Sequence, residues 1–351
     1  MAHNNSAGHR FARKTAFRWV AVAVACLLPH WAAADTPAVP TTMAAAALDQ
    51  GGGPEVLSIH HLPVPTPGAG EVLIAVEAAG LGVWEAHFRR NPGASTHFPL
   101  VLGSDGSGTV VAIGPGVRGF KTGDAVYGTN AAFDAEYAKV RVENIAHIPR
   151  GIGRTEAGAL AISGLSALQG VDDILQMKAG ETLLIHGATG GVGTLAIQFA
   201  KARGVKVLAT VSSDEASALV TRLGADVVVN GRTGDVAEAA KRLAPKGVDA
   251  VLGLAGGDEL ERCIDTVRKD GRGRVAYLFG MDPLPKPRFA LRMTLYSYIS
   301  GVRELERLNQ AVTAAKLQVP IAAEYALADA AQAHERLEAG HLLGKIVLRV
   351  R

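Results

Sequence analysis

The spacing of apolar positions changes character near Thr155. Upstream, residues 55–80 (EVLSIHHLPVPTPGAGEVLIAVEAAG) read as short strands joined by a Pro-Gly turn. Residues 101–127 continue in that style, with Gly-Pro-Gly and Thr-Gly-Asp punctuating short Val-rich runs. This predicts a small barrel-like β domain. From Thr155 onward the period is helical: residues 155–177 are rich in Ala and Leu, interrupted by Gly164 and Gly170. ETLLIHG then reads as a buried strand, and residues 191–203 as a helix with Val192, Leu195, Ala196 and Phe199 on one face. KVLATVSS, DVVVN, VDAVLGLAG and RVAYLFG are further strands, with helices between them, one through Leu223 and Gly224 and another around residues 235–243. Strands alternating with helices predict an α/β fold with a doubly wound parallel sheet. Residues 303–317 and 328–339 form amphipathic helices, and GKIVLRV is a closing strand.

Composition fits this picture: 48% hydrophobic, 5% aromatic and 41 Gly among 351 residues. Small residues let helices sit close on a sheet. The N-terminus is of another kind. Residues 1–18 carry Arg10, Arg13, Lys14 and Arg18 without an acid, WVAVAVACLLPHWAAA follows, and Asp35 comes after Ala32-Ala33-Ala34. That order of charged, apolar and small residues is the pattern of a secretory signal peptide over residues 1–34, with 35–42 as a linker. The expectation is an exported chain, periplasmic or secreted, with no integral membrane span in its mature part. The alternative is a cytoplasmic chain starting at Met43. The leader also holds the whole basic excess. The net charge of +3 becomes −1 without its four basic residues, so no nucleic-acid footprint remains. Cys26 leaves with the leader and Cys263 stands alone, which excludes an intramolecular disulfide.

The candidate chemistry begins at the turn Ala188-Thr189-Gly190-Gly191-Val192-Gly193, between a buried strand and a helix. Such a context makes a glycine-rich turn a dinucleotide loop. Gly190 lets backbone approach a pyrophosphate, Gly193 permits close helix–sheet packing, and the helix N-terminus offers amides to the anion. Ala188 replaces the first glycine of the usual G-x-G-x-x-G. The next strand ends Thr210-Val211-Ser212-Ser213, with no acid before Asp214. Hydroxyls at Ser212 and Ser213, with charge from Arg222 or Arg232, suit an NADP 2′-phosphate. Asp214 and Glu215 oppose one. NADP(H) is favoured over NAD(H), with both open.

With GGPEVL, GAGEVLIAVEAAG, LGSDGSGTVVAIGPGV, GDAVYG, HGATGGVGTLAIQFAK, LGADVVVN and AHERLEAGHLLGKIVL in order, residues 43–351 resemble the medium-chain dehydrogenase/reductase superfamily, in its zinc-independent, quinone-oxidoreductase-like branch. The resemblance implies a GroES-like β-rich catalytic domain over 43–154, an NAD(P)-binding Rossmann domain over 155–301, and a return to the catalytic domain over 302–351. It also implies a homodimer. In alcohol-dehydrogenase relatives a Cys and a His bind zinc where this chain has Gly82 and Ser104, so no zinc is expected. Relatives often carry Asn and Asp where Gly82 and Glu85 stand, and a Lys and a Tyr that hold the 2′-phosphate where Ala216 and Gly231 stand. Ser166 matches a residue that contacts the cofactor in relatives. Without a Lewis acid, a small hydrophobic quinone or α,β-unsaturated carbonyl suits the site best, since it needs positioning, an apolar wall and one donor. Trp84, Phe88, Phe133 and Tyr137 are wall candidates, and His97 and Tyr137 weak candidates for a proton donor. Other readings stay open: reduction of another activated carbonyl or an enoyl thioester, or cofactor binding with little turnover.

Overall fold

Alanine is a poor strand former, yet the first element of the computed structural model, which describes residues 39–351, is the strand Thr42–Leu48 (β1). Neighbours impose it. β1 pairs antiparallel with Ser58–Pro63 (β2) and with the two-residue strand Leu100–Val101 (β4), and its alanines are small enough to bury between sheets. The long apolar strand Glu71–Leu81 (β3) is the spine of the β-rich domain. It is followed by the helix Val83–Arg90 (α1), then by Asp105–Ile113 (β5), Ala125–Thr129 (β6), Tyr137–Arg141 (β7) and Ile145–His147 (β8). A seven-stranded sheet runs through β3, β5, β6 and β8, with β7 pairing β3.

The crossover to the second domain is helical: Arg154–Gly158 (α2), Ala161–Gln169 (α3) and a π turn at Gly170–Ile174. The expected interruptions at Gly164 and Gly170 take different forms. Gly164 stays inside α3, where Leu308 packs onto it, and Gly170 opens the π turn under Tyr296. Five predicted strands follow: Thr182–His186 (β9), Lys206–Val211 (β10), Val227–Asn230 (β11), Ala250–Gly253 (β12) and Arg274–Leu278 (β13). The helices Gly191–Ala202 (α4), Asp214–Arg222 (α5), Val236–Leu243 (α6) and Asp258–Asp265 (α7) alternate with them. A sixth strand, Arg292–Tyr296 (β14), completes a parallel sheet of order β11-β10-β9-β12-β13-β14. The order reverses at β9, the switch point where such sheets bind ligands beyond their strand ends.

After the helix Val302–Ala315 (α8), Ile321–Ala326 (β15), the helix Ala330–Glu338 (α9) and Lys345–Arg349 (β16) bring the chain back. β16 lies between β15 and β3, inside the β-rich sheet. Leu305, Leu308 and Val312 of α8, by contrast, join the core around α3 and α4. The expected leader, and residues 35–38 of the linker, lie outside the described residues. Among those described, no helix is long and apolar enough to cross a membrane.

Candidate active site

Gly187, at φ +78, makes the turn out of β9 in the left-handed region, one residue before the position expected to need a glycine; Ala188 is fully buried and takes no strained conformation. Gly190 caps α4, and a side chain there would meet nothing closer than 3.9 Å, leaving its backbone open to a ligand. Gly193 is the opposite case. A Cβ there would stand 2.4 Å from the Gly187 carbonyl, so helix and strand close only on glycine. Gly191 and Val192 are half-buried on the first turn, where amides lack intrahelical acceptors. The Thr189 carbonyl accepts from the Gly344 amide at 2.8 Å, so the segment entering β16 lies across the loop.

At the end of β10 the two serines separate in role. Ser213 caps α5, its hydroxyl accepting from the Ala216 amide at 3.2 Å. Ser212 faces outward, 3.4 Å from His341 Nδ1, while an Arg232 amine donates to His341 Nε2 at 3.2 Å. Ser212, Arg232 and His341 thus form one exposed polar cluster, with Glu259 3.7 Å from Arg232. His341, at φ +50, is the member sequence reasoning missed. It arrives from the far end of the chain, and no local motif marks it. Ser166 is buried in α3, where its carbonyl accepts from the Tyr296 hydroxyl.

Where the loop meets the β-rich domain, Lys345 of β16 reaches Asp105 at 3.0 Å and Ser163 at 3.2 Å, both buried. Its ammonium lies 4.8 Å from the centre of the Trp84 ring. A side chain on Gly191 would touch Lys345 and Ser163 at 3.0 Å, which places this group at the start of α4. Trp84 folds back over Gly82, whose Cβ would fall 2.1 Å from the indole. The ring fills the space a side chain at position 82 would occupy.

Glu85 joins the two positions at which relatives would bind zinc. Its carboxylate accepts from the Ser104 amide at 2.7 Å and from the Gly82 amide at 3.4 Å. A pocket of about 270 Å³ opens beside it, lined by Phe88, Pro92, Leu100, Ser104 and Ala131 among others. Behind Glu85, Asp134 and His334 bring their ligand atoms within 4.8 Å of it and of each other. The trio does not fit a metal ion. Arg89 donates to His334 Nδ1 at 2.7 Å, and a guanidinium cannot accept, so the proton of the neutral ring sits on Nε2 and the ring has no free lone pair for a metal. Burial, aided by Arg89, holds the His334 pKa down to about 4. Burial also pushes the Asp134 carboxyl well above its usual range, reinforced by the charge of Glu85.

Three expected site residues are placed differently. Phe133 is fully buried, its ring over Gly106 in the β-rich core, and cannot wall a substrate pocket. Tyr137 packs with Met43, Ala45 and Leu73 on the β1 side of β3, with Arg351 over its ring, which removes it both as a wall and as a proton donor. His97 is exposed on the loop of residues 91–99. Phe88 lines the pocket beside Glu85, whereas Trp84 packs over Gly82 and against Lys345.

Known proteins match this arrangement. The family described as zinc-binding dehydrogenase matches residues 223–348, and the alcohol dehydrogenase GroES-like domain matches residues 68–166. A quinone oxidoreductase of Pseudomonas aeruginosa is 32% identical over 314 residues, covering 85% of this chain and 96% of its own. The structure of Escherichia coli quinone oxidoreductase complexed with NADPH superposes with a TM-score of 0.80 at 27% identity, covering 88% of this chain and 100% of its own. A structure described as an NAD-dependent alcohol dehydrogenase superposes equally well, at 0.80, with 32% identity and the same coverage.

Proposed function

Since the chain belongs to the medium-chain dehydrogenase/reductase superfamily, in its quinone-oxidoreductase-like branch, and is an oxidoreductase, we propose that it uses NADPH to reduce a quinone or an α,β-unsaturated carbonyl without a catalytic metal. One observation carries this reading: at the two positions where relatives hold zinc, Gly82 and Ser104, the chain offers only backbone amides to Glu85, and Ser104 lines the pocket beside that carboxylate. Neither offers a thiolate or imidazole. The buried trio behind them presents an N–H where a metal needs a lone pair. An acceptor that is already conjugated makes no demand for a Lewis acid.

The reduced nicotinamide supplies the hydride. The residues do the rest by binding and exclusion. The α4 amides and the turn at Gly190 hold the pyrophosphate. Ser212, Arg232 and His341 hold the 2′-phosphate through the serine hydroxyl, the guanidinium and an imidazole N–H. This trio takes over the work of the absent Lys and Tyr at Ala216 and Gly231. Phe88, Pro92 and Leu100 form the apolar side of the acceptor pocket.

The test is acceptor-dependent NADPH oxidation across a panel of quinones and enones, after dialysis against chelator with metal content measured. Retained turnover by metal-free protein is expected, and loss that zinc restores would overturn the reading. Arg232→Ala and His341→Ala should each weaken NADPH by about tenfold and leave NADH nearly unchanged, since each removes one charge-assisted contact. Equal loss for both cofactors would place the cluster outside the phosphate site. The proposal extends to a homodimer formed through the open edge of β14, and to export with removal of residues 1–34. Native mass spectrometry of cell-purified protein tests both, reading the oligomer and the mature N-terminus together.

A further inference from the structure

Adding hydride to an enone leaves charge on its oxygen, and the acceptor pocket needs a group that can supply a proton there. Tyr137 is packed away on the β1 side, and His97 is exposed on the loop whose Thr96 lines the pocket. The tyrosines near the cleft differ sharply. Tyr127 and Tyr296 are buried, their hydroxyls committed to Asn309 at 2.7 Å and to the Ser166 carbonyl at 3.0 Å. Tyr298, just beyond β14, is half-buried, and its hydroxyl donates to the side chain of Asn130 at 3.2 Å. Asn130 is exposed, so an acceptor oxygen can replace it as partner without stranding a buried group.

This segment is held from both sides. Gln169 of α3 exchanges two hydrogen bonds with the backbone of Ile299, at 2.8 and 2.9 Å. Thr129 at the end of β6 donates to Ser300 at 3.0 Å. Asn130 itself takes a left-handed backbone, φ +59, and its amide donates to the Ser104 carbonyl at 3.1 Å. Ser104 and Ala131, on either side of this contact, both line the acceptor pocket. Parts of both domains therefore converge on Tyr298, whose partner Asn130 is bonded to one pocket residue, Ser104, and adjacent in sequence to another, Ala131.

The geometry points to Tyr298 as the catalytic acid that protonates the acceptor's oxygen, an assignment that rests on the pocket beside Glu85 being the acceptor site. As the β-carbon gains its C–H bond, the C=C electron pair shifts and the carbonyl oxygen becomes an enolate. The Tyr298 O–H bond breaks, a new O–H forms on that oxygen, and water reprotonates the phenolate. Electrons come only from the dinucleotide; the protein contributes one proton and recovers it. Burial and the charges of Asp105 and Glu85 push the phenol pKa up to about 12, so the group is protonated at neutral pH.

The experiment compares Tyr298→Phe with wild type on an enone and on a quinone. The enone kcat should fall about 10²-fold with little change in KM, as for loss of a general acid. The quinone rate should fall less, because at oxygen a hydroquinone anion is a weaker base than an enolate. A structural lesion would lower both alike, and that result would overturn the assignment. The second measurement needs no cofactor. 4-Nitrophenolate, a flat ring bearing an anionic oxygen, is titrated into the protein by absorbance. Wild type should bind it about tenfold more tightly than the variant, the value of one hydrogen bond to a charged group. Equal binding overturns the assignment. A wild type that binds nitrophenolate through Tyr298 but shows no acceptor-dependent NADPH oxidation would sink the reductase reading alone.

Discussion

At the scale of single residues, the site is organised by substitutions that make sense only in pairs. Gly82 and Trp84 are one such pair, because the indole lies where any side chain at 82 would go. Gly82→Asn, which restores the residue common in relatives, should cost about 1–3 kcal/mol by overpacking. Adding Trp84→Ala should recover much of that loss, and chemical denaturation of the four chains of the cycle measures the coupling. Asp134 gives a pH signature. Its raised pKa means that the folded chain holds a proton which the unfolded chain has released above the ordinary carboxylate range. Folding stability from this group is therefore lost as pH rises from about 4, by at most about 1.4 kcal/mol per pH unit. Asp134→Asn should gain on wild type over that rise. His334 works in the reverse sense, with stability lost as pH falls from about 6.5 towards its folded pKa of about 4. Urea melts from pH 4 to 8 read both. The glycine loop was legible in sequence because its chemistry is local. His341, Ser163 and Tyr298 were not, since each reaches the site from a segment whose own neighbours carry no motif.

At the scale of elements, apolar patterning located β9, β10, β12 and β13, which lie inside the parallel sheet with both faces covered. It failed wherever burial and polarity part company. Helix α1 exposes Val83 and Phe88 while burying Glu85 and Arg89, so a hydrophobic period would turn it inside out. Strand β1 gives no alternation because alanine suits either face. Strand β14 is at the edge, and its exposed Leu295 breaks the run expected of a covered strand. That edge has its own consequence. Phe279, Leu284 and Phe289, in the loop before it, are also exposed, and an open strand beside apolar surface is a template for pairing. If the proposed dimer forms through this edge, Leu295→Lys should shift it to monomer in light scattering, with NADPH affinity retained. A dimer that survives the charge would place the interface elsewhere.

At the scale of the whole molecule, the two domains share their critical parts. The α4 turn is covered by the segment entering β16, and Lys345 of β16 ties Asp105 of one domain to Ser163 of the other. Lys345→Met should therefore loosen both: Asp105 would be left buried without its cation, a loss of about 3–5 kcal/mol, and NADPH would bind less tightly. Thermal melts with and without NADPH would show whether the two effects come together. The same strand sets a condition on how the chain folds. Ile346 pairs with Leu81, and the entire parallel-sheet domain lies between them in sequence. The loop that must close before β3 gains this neighbour is one of the longest in the molecule, whereas the parallel sheet closes far shorter ones, even where β9 pairs β12. The parallel-sheet domain should protect its amides first and act as the spacer that brings Leu81 and Ile346 together. Until then Lys345 cannot tie Asp105 to Ser163, and every lesion that slows the inner domain will delay the outer one.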